Sequence, residues 1–61
     1  MEVIEVYVVV WHLRDCKLRP IESEHFYSYV TAQDHAQSML DDMCESQQVA
    51  YYRIEKRFVL R

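Results

Sequence analysis

The side chains that could ligate a metal or attack a carbon centre are His12, His25, His35, Cys16 and Cys44. Their spacing fits no metal template: there is no CxxC, no HExxH, and no ligand pair beside another pair. His12 and Cys16 stand four apart, but across the end of an extended segment, where that spacing brings nothing together. Cys44 follows Met43 in an apolar-periodic stretch and reads as a small packing residue rather than a nucleophile. With no glycine in the chain, the usual phosphate-cradling loop is missing. No cofactor and no metal are expected, and the residues do not read as those of an enzyme.

The chemistry of recognition is better represented. Five tyrosines, two phenylalanines and one tryptophan occur in 61 residues. Alternation places Tyr7, Val9, Trp11, His25, Tyr27, Tyr29, Tyr51, Arg53, Glu55 and Arg57 together on one face of a sheet. Tyr, Trp and Arg are the residues enriched in interface hot spots. A register bringing Arg53 to Trp11 and Arg57 to Tyr7 would add cation–π contacts. A second surface is acidic: Asp34, Asp41, Asp42 and Glu45 follow one another with no basic residue between Ala32 and Val49. Such a row suits a basic groove on a partner, and it is also the ordinary solvated face of a covering helix.

Four segments must position these side chains. Val3 to Leu13 is an unbroken β-branched and aromatic run, hydrophobic enough for the middle of a sheet. Its even positions, Ile4, Val6, Val8 and Val10, are purely aliphatic and are expected to face the core. Arg14 to Pro20 reads as a connection. A second strand is expected over residues 22–30, at an edge, since Glu22, Ser23 and Glu24 begin it in solvent. Thr31-Ala32-Gln33-Asp34 resembles a capping box, with Asp34 favouring the positive end of the helix dipole. Ala32, Ala36, Met39, Leu40 and Met43 then recur at helical spacing, predicting a helix near 32–47. Residues 50–60 return to alternation, with Tyr52, Ile54, Phe58 and Leu60 on one side.

Connection rules give the topology. A seven-residue link lets the first two strands pair antiparallel, and the helix carries the chain back for the third. The expected fold is α+β, β-β-α-β, a three-stranded antiparallel sheet of order 2-1-3 with one helix on one face, as a single domain over residues 1–61. Its predicted core is Ile4, Val6, Val8, Val10, Phe26, Val30, Ala36, Met39, Leu40, Met43, Tyr52, Ile54 and Phe58.

Composition bounds the function. A 7.5 kDa chain buries only about 60% of its unfolded surface, which leaves little material for a deep catalytic pocket. The net charge of −3 argues against generic polyanion binding. Two cysteines do not make a disulfide framework, and Glu2 and Glu5 interrupt what would otherwise be a leader. The run from Val6 to Trp11 is far too short for a membrane span. A reduced, soluble, cytoplasmic protein with no membrane partner is expected.

In size, acidity and β-β-α-β order, with aromatic strands and a capped helix, the whole chain resembles small early proteins of bacteriophages. Some of these bind and inhibit a host enzyme such as RNA polymerase, a nuclease or a defence complex. The resemblance is architectural, without a motif, and transfers no residue. It implies a small protein-binding module that inhibits or modulates a larger host protein through the aromatic sheet face (Tyr7, Trp11, Tyr27, Tyr29, Tyr51, Arg53, Arg57), the acidic helix face, or both. Stacking of unpaired bases on the sheet aromatics is the reading from another class. A homodimeric structural or assembly subunit is a third.

Overall fold

The computed structural model describes residues 1–61. Its elements are β1 (Val3–Leu13), β2 (Ile21–Glu22), α1 (Tyr29–Ser46) and β3 (Val49–Leu60). They form a three-stranded sheet of order β2-β1-β3, antiparallel throughout, with one helix. This is the expected fold class and strand order. The molecule is flat, 39 × 25 × 13 Å. Its long dimension is the β1–β3 ribbon, since twelve residues at about 3.4 Å each span some 40 Å.

The face assignment of β1 differs from the expectation. Val9 and Trp11, not the even-numbered valines, lie beneath α1 with Ala32, Ala36 and Val49. Tyr7, Leu13, Phe26, Leu40, Met43, Tyr52 and Ile54 pack around them. The cause is register. Trp11 faces Tyr52, Val9 faces Ile54 and Val10 faces Arg53, so the odd face of β1 joins the apolar face of β3. A shift of one residue would reverse this, and no hairpin turn joins β1 to β3 to fix it. Ala32 and Ala36, both fully buried, let the helix axis come close enough for Trp11 to be covered.

The second strand is shorter than the predicted 22–30. Only Ile21 and Glu22 pair regularly, with Trp11 and Val10. Ser23 then donates its N–H to the Val9 carbonyl (2.9 Å), and its hydroxyl accepts the Val9 N–H (2.9 Å). The next bridge joins Tyr7 to Phe26, where unbroken pairing would bring His25. One extra residue has been inserted, and it places Phe26 on the helix side against His35, ring centroids 4.9 Å apart.

The helix begins one turn before the expected start. Ser28 is its N-cap, without a side-chain bond, and the Ala32 N–H donates to the Ser28 carbonyl (3.1 Å). Thr31 and Asp34 therefore lie inside the helix, the capping box is unused, and no acidic residue occupies the first turn. At the other end Gln48 takes φ 55°, the left-handed conformation that glycine usually supplies after a helix. Its carbonyl accepts the Arg14 N–H at 2.9 Å, tying the turn to the end of β1. In the β1–β2 link the Asp15 carboxylate accepts the Lys17 N–H (3.0 Å), closing a turn without Gly or Asn.

Of the predicted core, Val30 (65% exposed), Phe58 (67%) and Met39 (36%) lie at the surface, and Ile4 is half-buried. Val30 falls in the first helical turn, on the side away from the sheet. Phe58 lies where the ribbon runs past the end of the helix.

Candidate interaction surfaces

Three surfaces carry the exposed chemistry. The first is the sheet face opposite the helix. Val6, Val8 and Val10 run down its middle at 1%, 0% and 2% exposure, although no element covers them. They are flanked by a connected row of polar side chains. Arg57 forks onto Glu22 through both terminal nitrogens, at 2.8 and 2.6 Å, and its Nε donates to Glu55 at 3.2 Å. The other Glu55 oxygen meets Arg53 at 3.1 Å. Arg53 Nε donates to His12 Nε2 (3.0 Å), and His12 stacks on Tyr51 at 4.5 Å and 12° between planes. Long Arg and Glu stems laid over apolar ground keep water from the valines while their charged ends stay wet.

The pairing has an electrostatic signature. The Arg57 guanidinium holds the Glu22 carboxyl below its ordinary range, and Glu22 and Glu55 raise Arg57 further. On the other face, Glu5 lies 2.8 Å from Lys56 and raises its ammonium above the usual lysine value.

The second surface is an apolar ledge on the helix side. α1 starts at Tyr29, whose ring meets Tyr7 edge-on at 5.8 Å. Beyond Tyr7 the same face of the ribbon continues uncovered, with Val3 opposite Leu60 and Glu5 opposite Phe58. Val3, Phe58 and Leu60 are each about two-thirds exposed, as are Tyr27 and Val30 beside the start of the helix. The third surface is acidic. Asp34, Asp41, Asp42 and Glu45 are all exposed on α1 and make no ion pair within the chain. Three of them lie toward the negative end of the helix dipole, where their charge is unfavourable to the helix itself.

The residues grouped from sequence are therefore divided. Tyr51, Arg53, Glu55 and Arg57 share the face opposite the helix, as predicted. Trp11 is buried at 2% exposure against Tyr52 (5.3 Å) and cannot reach a partner from there, and Tyr7 is half-buried. The cation–π pairs do not form, because Arg53 faces Val10 and Arg57 faces Val6. Tyr27 and Tyr29 are exposed, beside the ledge rather than on the open sheet. Val30 and Phe58, expected in the core, and Val3 and Leu60, assigned to no surface, belong to the exposed set. For Val3, Phe58 and Leu60 the signal is length: an eighteen-residue helix, about 27 Å long at 1.5 Å per residue, is shorter than the ribbon it covers.

The titratable and sulfur-bearing side chains stay apart. Cys16 is exposed in the β1–β2 link and Cys44 is half-buried on α1, packed against the core. No three His, Cys, Asp or Glu side chains gather at one point. No helix is long and apolar enough to cross a membrane. No family model, no curated protein and no solved structure matches this chain.

Proposed function

We propose that this protein is a small protein-binding module that modulates a larger protein, with the apolar ledge as its main contact. The observation that carries this is the exposure of large apolar side chains toward one end of the molecule: Val3, Phe58 and Leu60 on the ribbon beyond Tyr7, and Tyr27, Tyr29 and Val30 at the start of α1, with the Glu5–Lys56 ion pair between the two groups. A small domain has little apolar surface to leave wet, and large apolar side chains exposed together mark interaction sites. The acidic helix face has a secondary role. Its unpaired charges speed encounter with a basic surface, while desolvated aromatic and aliphatic contacts set the lifetime of the complex.

Base stacking is less favoured, since Trp11 is buried under the helix and Tyr7 packs against its start, leaving Tyr27, Tyr29 and Tyr51 as the exposed aromatics of that set. The open sheet face offers Tyr51 already stacked on His12, and arginines already engaged by glutamates.

A photo-crosslinking residue at position 30, in cells producing the protein, tests the proposal by capturing a partner for purification. Calorimetry should then show Tyr27→Ser combined with Val30→Ser weakening the complex about tenfold or more. Asp41→Asn with Asp42→Asn should slow association at low salt and leave dissociation unchanged. Wild-type affinity in both variants would overturn the reading.

A further inference from the structure

β3 is an edge strand along its whole length, with β1 on one side and no strand on the other. Glu2 and Arg61 exchange hydrogen bonds, at 3.1 and 2.9 Å, which turns the odd-numbered residues of β3 toward β1. The N–H and C=O groups of Tyr52, Ile54, Lys56, Phe58 and Leu60 therefore point outward. Natural edges this long are blunted by proline, by a bulge, or by a lysine reaching over the edge. β3 contains no proline, and its register irregularity lies at its very start, opposite His12 and Leu13. Its one lysine is drawn inward across the sheet onto Glu5, at 2.8 Å.

We infer that a second copy of the chain occupies this edge, paired antiparallel about a two-fold axis at Lys56. The inference goes beyond the proposed function; in the dimer Phe58 and Leu60 are covered by the second copy, which leaves Val3, Tyr27, Tyr29 and Val30 of the ledge for another partner. Two-fold pairing through the outward groups allows only registers two residues apart on each side of such an axis, and the side chains discriminate among them. With Lys56 on the axis, Ile54 faces Phe58 of the second copy and Tyr52 faces its Leu60. The two most exposed large apolar side chains of β3 thus meet the two half-buried ones on the same face. On the other face Glu55 meets Arg57 of the second copy, twice by symmetry. The two axial lysines each bring their own Glu5. Moving the axis to Glu55 sets Glu55 against Glu55 and Arg53 against Arg57. Moving it to Arg57 sets Arg57 against itself. With Ile54 on the axis, Phe58 meets only Ala50 and Leu60 runs past the end of the neighbouring strand. Charge and apolar matching coincide in one register.

That register forms five facing pairs with about ten main-chain hydrogen bonds, and makes one six-stranded sheet with both helices on the same side. Tyr27, Tyr29 and Val30 remain open, because they lie off β3.

Sedimentation equilibrium combined with amide exchange on the full chain tests this. The expected mass at high concentration is twice 7.5 kDa. The outward N–H groups of Tyr52, Ile54, Lys56, Phe58 and Leu60 should exchange at least about tenfold more slowly as dimer accumulates, while the odd-numbered ones stay protected throughout. Isotope-filtered spectra should place the Phe58 ring against Ile54 methyls of the other copy. Phe58→Lys changes a side chain exposed in the protomer and should raise the dimer Kd about tenfold or more. The exchange measurement on the unmodified chain stands even if that variant does not fold. A monomer at all concentrations, a dimer whose outward N–H groups exchange freely, or Phe58 lying against Tyr52 of the other copy would each overturn the inference.

Discussion

On one face of β1, Val9 and Trp11 are buried beneath a helix that brings two alanines against them. On the other, Val6, Val8 and Val10 are just as dry with no layer over them, only the stems of Arg53, Glu55 and Arg57 and the fork onto Glu22. The first face is closed by a second element of structure, at the cost of ordering eighteen residues. The second is closed by side chains of its own sheet. A chain this short cannot cover both sides of a sheet with helices, and long charged side chains supply the missing layer. Apolar patterning alone therefore does not identify the side that receives the helix.

Substitutions at the two faces should separate the two kinds of cover. Trp11→Ala removes the largest side chain under the helix and should cost about 3–5 kcal/mol, enough to unfold much of a domain this size at room temperature; urea denaturation followed by circular dichroism reads it. Arg57→Ala strips the stem from over Val6 and exposes on the order of 40 Å² of apolar surface, about 1 kcal/mol. Arg57→Met, which keeps the stem and discards the charge, should retain most of the stability. If Met and Ala cost the same, the row works through charge, and the account of that face is wrong.

At the turn into β3, Gln48→Gly relieves the left-handed conformation and should raise stability by about 1 kcal/mol, measured as a higher urea midpoint with unchanged slope. The smallest effect belongs to the ion pair itself. The folded Glu22 carboxyl titrates below its unfolded value, so its contribution is fully present above the ordinary carboxylate range and is lost as pH falls through the lowered folded value. Thermal unfolding at descending pH should show Glu22→Gln losing that part of the acid dependence.

Much of this architecture could be read from the residues. The change from period two to helical spacing and back located β1, α1 and β3 closely, and the hydrophobicity of β1 placed it in the centre. What escaped depended on non-local geometry. The faces of β1 are both apolar, and their assignment needed the β1–β3 register, which no local turn encodes. The bulge between Ser23 and Phe26 exchanged one residue for its neighbour on the helix side and cut β2 to two residues. Ser28 capped the helix without using its side chain, so the stronger capping signal at Thr31 pointed one turn too late. The β3 face carrying Tyr51, Arg53 and Arg57 was legible because its alternation is unambiguous. The ledge was not, because it follows from where the helix stops.

The side on which the helix lies decides which residues form the ledge and which are sealed, and Trp11 is the chain's one tryptophan. Acrylamide quenching of its fluorescence therefore tests the account most directly. At 2% exposure beneath α1, Trp11 should emit at short wavelength and resist quenching until the protein is unfolded in urea. A red-shifted emission quenched in the native protein as readily as in the unfolded chain would put Trp11 on the open side of the sheet and contradict the account.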